Sequence, residues 1–445
     1  MSRPNAAVTH GNDVGRLGAG RYLPAAQPPA ATATSLHRLT TADGATVDGV
    51  LRTLPGAQTV VCLAHPRQDV THHPLVAELL ARGAAVWTQG TRSVNNDLAL
   101  VHEQALLDLA AGLSFLRQLG IGPLVTLGHS GGGALFAFYH EQAGLAPERR
   151  LTSTPAGRAT GLAEADLPVP DGAVFMAPHP GQGLLLSRLI DPSVTDERDP
   201  LSVDEDLNPF SPRNGFADPP ASSAYSTEFV SRYREAQQQR IARIDAMAFE
   251  RVEEAHQART RHRRTGKVED RRQALAPRVL TVYRTDADLR NVDLNLDPND
   301  RPYGSLFGRR PDLTNYGLIG FGRFVTPEAW LSTWSATTSN AGFTRAAPGV
   351  TAPALLIELS GDQACFPGDI AEMTAALGAP DVTTARVAGT HFGGPLADGE
   401  STGITLAAAA IGQWLEARFP LARSVGHRPD RQADPGTPQS QEGRQ

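Results

Sequence analysis

The run Gly128-His129-Ser130-Gly131-Gly132 sets a serine in a G-x-S-x-G turn, and its flanks constrain the fold more than the five residues do. Upstream, Pro123-Leu124-Val125-Thr126-Leu127 is a short apolar run suited to a buried parallel strand. Downstream, Ala134, Leu135, Phe136, Ala137, Phe138 and Tyr139 open a largely apolar helix. A serine at so sharp a strand-to-helix turn is forced into a strained backbone conformation that points its hydroxyl outward. The small residues around it let the turn close without clashes. A glycine-rich turn that happens to contain serine is the competing reading, and the strand before and helix after argue against it.

Strand and helix patterns alternate around this turn. Leu36–Leu39 and Val47–Leu51, joined through Asp43-Gly44, read as an opening hairpin. Gln58–Ala64 reads as a buried strand, Pro74–Ala81 as the helix after it, and Ala84–Trp87 as the next strand. A long helix is expected over 97–119, with Leu106, Leu109, Ala110, Leu113 and Leu116 on one face. Asp97 is its expected N-cap and Gly120 its stop. Gly172–Ala177 adds another strand, so the pattern argues for a parallel sheet covered on both faces.

A serine hydroxyl is a weak nucleophile and needs a base, which in turn needs an orienting acid. Ala354–Leu359 reads as a strand, and Asp362 follows it on the rim where parallel sheets carry their ligands. Val382–Val387 is another strand-like run, followed by Ala388-Gly389-Thr390-His391-Phe392-Gly393-Gly394. His391 therefore lies on a loop flanked by glycines, as a base that must reach a serine should. Asp369 is the nearest rival to Asp362, but it follows Pro367-Gly368, where it suits the start of a helix. His65, His129 and His179 also adjoin strand ends and could line the same pocket.

The GHSGG elbow, the SGDQACFP loop and the GTHF loop, in that order, make the chain resemble an α/β-hydrolase over residues 35–180 and 350–420. The resemblance implies an α/β fold with a mostly parallel central sheet flanked by helices, and a large, mainly helical lid inserted between two late strands. It assigns Ser130, Asp362 and His391 as nucleophile, acid and base. It also implies an oxyanion hole in which the Gly131 N–H is one donor. The second donor is expected from Ala64-His65-Pro66-Arg67-Gln68, where many relatives carry His-Gly. Pro66 has no N–H, so Arg67 is the expected donor and Gln68 the alternative. The implied substrate is a small-molecule carboxylic ester, lactone or thioester. Amide or carbon–carbon cleavage, or transfer to an acceptor other than water, could run on the same triad. An inactive binding module is a third reading, against which the complete triad argues. No metal or organic cofactor is implied, since H-E-x-x-H, a P-loop and G-x-G-x-x-G are all missing from the sequence.

The expected organisation is an arm at 1–34 without its own core, a first core part at 35–180, a lid at 181–349, a second core part at 350–420 and a disordered tail at 421–445. Ser231–Ala276 carries twelve Arg/Lys against seven Asp/Glu, with Ile241, Ile244, Ala248, Val252 and Ala255 at helical spacing. This reads as an amphipathic helix with a solvated charged face, the alternative being a basic patch for an anionic substrate or partner subunit. Tyr303, Phe307, Tyr316, Phe321, Phe324, Trp330, Trp334 and Phe343 could form an apolar pocket or the lid's own core. The net charge of −6 without a dominant basic stripe argues against nucleic acid. No run of about 18 apolar residues suggests a membrane span. Cys62 and Cys365, the only cysteines, are expected as buried free thiols. With no signal pattern at the N-terminus, the cytoplasm is the expected location. Self-association into a homo-oligomer is left open.

Overall fold

A computed structural model describes residues 25–422 together with Leu23. The expectations of a coreless arm and a disordered tail lie largely outside the described residues.

The chain opens with β1 (Ala33–Thr40) and β2 (Thr46–Thr53), the antiparallel hairpin expected around Asp43-Gly44. There follow β3 (Val60–Ala64), α1 (Leu75–Ala81), β4 (Ala85–Gln89), α2 (His102–Gln118), β5 (Leu124–His129), α3 (Gly131–Gly144) and β6 (Gly172–Met176). An insertion then carries α4 (Gln182–Leu189), α5 (Thr227–Thr265), α6 (Val268–Leu275), β7 (Leu280–Thr281), α7 (Pro311–Thr314), β8 (Phe324–Val325), α8 (Pro327–Ala329) and α9 (Phe343–Ala346). The sheet resumes with β9 (Ala354–Gly361), α10 (Pro367–Ala376), β10 (Val382–Thr390) and α11 (Gly403–Glu416).

Eight strands form one sheet in the order β1-β2-β4-β3-β5-β6-β9-β10, parallel from β4 to β10, with β2 antiparallel to both its neighbours. Every residue of β3, β4 and β6 is buried, because helices cover both faces. On one face α2 and α3 contribute Leu106, Leu109, Leu113, Leu135 and Phe138 to the core; on the other, α1 and α11 contribute Leu75, Leu79, Ile404 and Ile411. Cys62 and Cys365 are both buried free thiols, and burial holds each thiol above its ordinary pKa. No described helix is long and apolar enough to cross a membrane.

Asp97 does not cap α2. It sits in a separate 3-10 turn, Asp97–Ala99, and α2 begins at His102. The Arg67 guanidinium takes both Asp97 carboxylate oxygens, at 2.9 and 2.8 Å, which turns the side chain toward the loop after β3 and away from the start of α2. Gly120 does end α2, with a φ of +70° one residue past the C-cap.

Within the insertion, α5 runs 39 residues from a Ser226 cap, whose hydroxyl accepts the Phe229 N–H, to left-handed Gly266. Its buried stripe includes Ile241, Ile244, Ala248 and Ala255, as the spacing predicts. Trp330 and Trp334, on a single π turn (Trp330–Trp334), pack with Leu186, Ile241 and Ile244 into a core belonging to the insertion. Phe343 instead joins the main core, edge-on to Phe175 at 4.9 Å. Tyr316 and Phe324 are exposed.

Candidate active site

The site follows from sheet order. His65, Ser130, Asp362 and His391 directly follow β3, β5, β9 and β10, and His179 lies three residues past β6, so five neighbouring strands deliver these residues to one rim. Residues more than 260 positions apart meet there because each sits at the carboxyl end of its strand.

Ser130 has φ +56° and ψ −123°, the strained conformation expected at the turn. Its N–H donates to the Met176 carbonyl at 3.1 Å, and its own carbonyl accepts the Gly133 N–H at 3.0 Å. The two flanking glycines are steric requirements. A Cβ at 128 would lie 2.4 Å from the Gly132 carbonyl, and one at 132 would lie 2.5 Å from the Ala64 oxygen. Helix α3 thus starts hard against β3, with Ser130 at its N-terminus.

His391 Nε2 lies 2.9 Å from Ser130 Oγ, and His391 Nδ1 lies 2.9 Å from each Asp362 carboxylate oxygen. Asp362 Oδ1 also accepts the N–H groups of Ala364 and Cys365, at 2.7 and 3.0 Å, which fixes the carboxylate in the turn after β9. All three residues are buried, Ser130 with 9% exposure. The rival Asp369 lies on α10, where it accepts the Phe366 N–H and pairs with Arg188 and Arg290. It has no hydrogen bond to His391.

Two histidines form a directed chain that ends on the His391 backbone. The Leu75 N–H donates to His73 Nδ1, so the hydrogen of the neutral His73 ring is on Nε2 and donates to His129 Nδ1 at 3.0 Å. That leaves His129 Nε2–H to donate to the His391 carbonyl at 2.8 Å. Burial holds both rings neutral, His73 at about 3 and His129 at about 4. His129, expected to line the pocket, thus holds the loop that carries His391; His73 has no motif in the sequence to mark it.

The oxyanion loop departs from expectation in its hydrogen bonds. The Arg67 N–H donates to His65 Nδ1 at 3.1 Å and the Gln68 N–H to the same atom at 2.9 Å, so both expected donors are engaged inside their own loop. The Arg67 side chain holds Asp97 and stacks on Phe321, 4.6 Å from the ring centre. Gly131, the first residue of α3, has no intrahelical acceptor for its N–H. His65 and His179 are both buried beside it, together with Gln182, the first residue of α4.

The insertion reaches the site at several points. The Asn299 amide donates to the Asp362 carbonyl at 2.9 Å, and Gln363 donates to the Gly304 carbonyl at 2.7 Å. On α2, buried Glu103 accepts from Ser332 at 2.6 Å and Asn340 at 2.8 Å. A separate cavity of about 230 Å³ lies within the insertion, lined by Leu201, Tyr283, Arg284, Tyr316 and Phe324 among others, and none of the three catalytic candidates lines it. Among the described residues no cluster of His, Cys, Asp and Glu is arranged to hold a metal ion.

The strand order, with its antiparallel β2, and the strained serine turn between β5 and α3 are those of the α/β-hydrolase fold. No family model and no curated protein matches the chain. Among solved structures it is similar to the esterase domain of a Rhodothermus marinus protein, at 11% identity over 86% of this chain and 99% of that one, with a TM-score of 0.39. It is also similar to a fungal esterase from Rhizomucor miehei (14% identity, 88% and 84% of the chains, TM-score 0.39). A third is carboxyl esterase 2 from the mycorrhizal fungus Tuber melanosporum (12%, 88% and 89%, TM-score 0.40).

Proposed function

We propose that the chain is a serine hydrolase that cleaves a small-molecule carboxylic ester, lactone or thioester through an acyl-enzyme. The observation that carries this reading is the hydrogen-bonded series Ser130 Oγ, His391 Nε2, His391 Nδ1, Asp362 carboxylate, with both contacts at 2.9 Å. His391 takes the hydroxyl proton as Ser130 attacks the carbonyl carbon, and Asp362 holds the imidazole tautomer and stabilises its protonated form. The leaving alcohol or thiol departs with that proton, and water then releases the acid through the same groups. The insertion between β6 and β9 serves as a lid over this rim, and the low exposure of Ser130 beneath it favours a small substrate.

The test is intact mass after treatment with a fluorophosphonate probe. One adduct is expected on wild type and none on folded Ser130→Ala; an adduct of equal yield on both would place the reactive group elsewhere. A panel of esters, thioesters and amides then separates the substrate classes, with ester or thioester turnover expected to lead. Amide turnover exceeding it would move the assignment to an amidase on the same triad.

A further inference from the structure

We infer that the second half of the oxyanion hole is built from side chains, with the Nε2–H groups of His65 and His179 and the Gln182 amide acting beside the Gly131 N–H. This deepens the serine hydrolase reading and rests on it.

Three nitrogens converge on the first residue of α3. A Cβ placed on Gly131 would sit 2.6 Å from Gln182 Nε2 and 3.0 Å from both His179 Nε2 and His65 Nε2. Gly131 directly follows Ser130, so these nitrogens gather at the residue whose N–H is the expected first oxyanion donor.

The hydrogen bonds on the far side of each ring settle what the nitrogens carry. His65 Nδ1 accepts two backbone N–H groups, from Arg67 and Gln68. His179 Nδ1 accepts the Gly181 N–H at 3.1 Å. A neutral imidazole that accepts at Nδ1 bears its hydrogen on Nε2, so both rings present an N–H toward Gly131. Both rings are neutral: burial and the neighbouring Arg67 guanidinium lower His65 well below the ordinary histidine value, and burial brings His179 to about 3. A neutral imidazole can donate to a developing oxyanion without transferring its proton to it.

Neither His65 Nε2 nor His179 Nε2 has a hydrogen-bond partner among the described residues, although both side chains are over nine-tenths buried. Gln182 is 2% exposed, and its amide lies beside the buried His102 ring, which can engage one amide group and leave an N–H toward Gly131. Three N–H donors gathered at one point, with no protein acceptor for either imidazole N–H, suit a ligand that carries negative charge there. The loop after β3 reaches the same end by an altered route. Pro66 has removed one N–H, and His65 Nδ1 occupies the next two, which turns two backbone donors into the fixed orientation of one side-chain donor.

In the reaction, the Ser130 oxygen bonds to the carbonyl carbon and the carbonyl π pair moves onto oxygen. That oxygen receives hydrogen bonds from Gly131 and the side-chain donors, which keep their protons. The pair returns as the bond to the leaving group breaks, and the leaving group takes the proton held by His391.

The experiment measures the saturating rate and the half-saturation concentration of fluorophosphonate labelling in wild type, Gln182→Leu and His179→Phe, with thermal unfolding of each. Loss of one oxyanion donor slows the step on the order of 10²-fold, so each variant is expected to label more slowly by that factor at unchanged half-saturation. Gln182→Leu gives up its contact with His102, so a small fall in melting temperature is expected beside the slower labelling. A purely structural role would instead lower the melting temperature and leave labelling of the folded protein unchanged. Labelling of both folded variants within about threefold of wild type, against that expected loss, would overturn the inference and leave the triad standing. Should one variant fail to fold, the other decides by the same comparison. A folded wild type that takes no label overturns the hydrolase reading itself, and this inference with it.

Discussion

At Ser130 the positive φ persists because the Ser130 N–H, the Gly128 and Gly132 contacts and the start of α3 all fix the same turn. The same over-determination recurs at the other two members of the series. Asp362 is held by two backbone N–H groups besides His391, and the His391 carbonyl is held by His129, which His73 holds in turn. In the proposed reaction these contacts leave little rearrangement for the moment of attack. Asp362→Asn keeps the shape of the turn but presents an amide to His391 Nδ1, favouring the wrong tautomer. A loss in kcat of about 10⁴-fold is expected, by analogy with the equivalent change in a serine protease triad. Steady-state kinetics on the best ester of the panel check it, with circular dichroism to show the variant folded. A loss below about tenfold would remove Asp362 from its assigned role.

Among the elements, α5 shows how the insertion acquires a fixed position. Its charged face is solvated, while its buried stripe carries Asp245 as well as apolar residues. Asp245 accepts the Trp330 indole N–H at 2.7 Å and the Ser335 hydroxyl at 3.0 Å, joining α5 to the π turn whose neighbours contact α2. Burial raises the Asp245 pKa, opposed by these hydrogen bonds. Asp245→Ala strands a buried indole N–H and a hydroxyl, and should lower stability by about 1–3 kcal/mol. Asp245→Asn keeps an acceptor and should lose less. Urea unfolding of the two variants tests the order; equal midpoints for Ala, Asn and wild type would show that the contact contributes nothing. Most basic residues of α5 form the solvated face of an amphipathic helix, while Arg240 is fully buried and pairs with Glu197, and Arg234 pairs with Asp288.

For the whole molecule, the accumulation of neutral buried histidines predicts acid lability. Burial lowers His73 and His179 to about 3 and His102, His129 and His140 to about 4, with His65 also well below 6.5. A base whose pKa is lower folded than unfolded binds fewer protons in the native state. Its contribution is therefore complete above pH 6.5 and is lost as pH falls from 6.5 toward the folded value. Each such ring gives a slope of about 1.4 kcal/mol per pH unit in that window. Asp286 works in the other direction, since burial raises it to about 6 and its protonation favours the folded state as pH falls. Burial raises Glu103, Asp108 and Asp245 as well, and these four carboxyls remain outnumbered by the six imidazoles. The melting temperature should fall steeply between pH 6.5 and 5 and stay level from 7 to 8. A flat profile from pH 7 to 5 would mean that these rings protonate in place.

Local sequence was sufficient for the fold class because the strands of a doubly covered parallel sheet are continuous apolar runs, and VVCLA, LVTL and GAVFM are such runs. It was also sufficient for Ser130, Asp362 and His391 as candidates, since each follows a strand on a loop with its own turn residues. Contacts across the rim were beyond it. Asp97 looked like a helix cap until Arg67, thirty residues away, took its carboxylate. Arg67 looked like a free donor until its N–H met His65 Nδ1. His73 and Gln182 carry no motif, and their importance arises only where loops after different strands converge. Hydrophobic period and turn chemistry act over a few residues and can be read along the chain. Which buried donor meets which acceptor depends on strand order and loop path, so only the tertiary structure decided it.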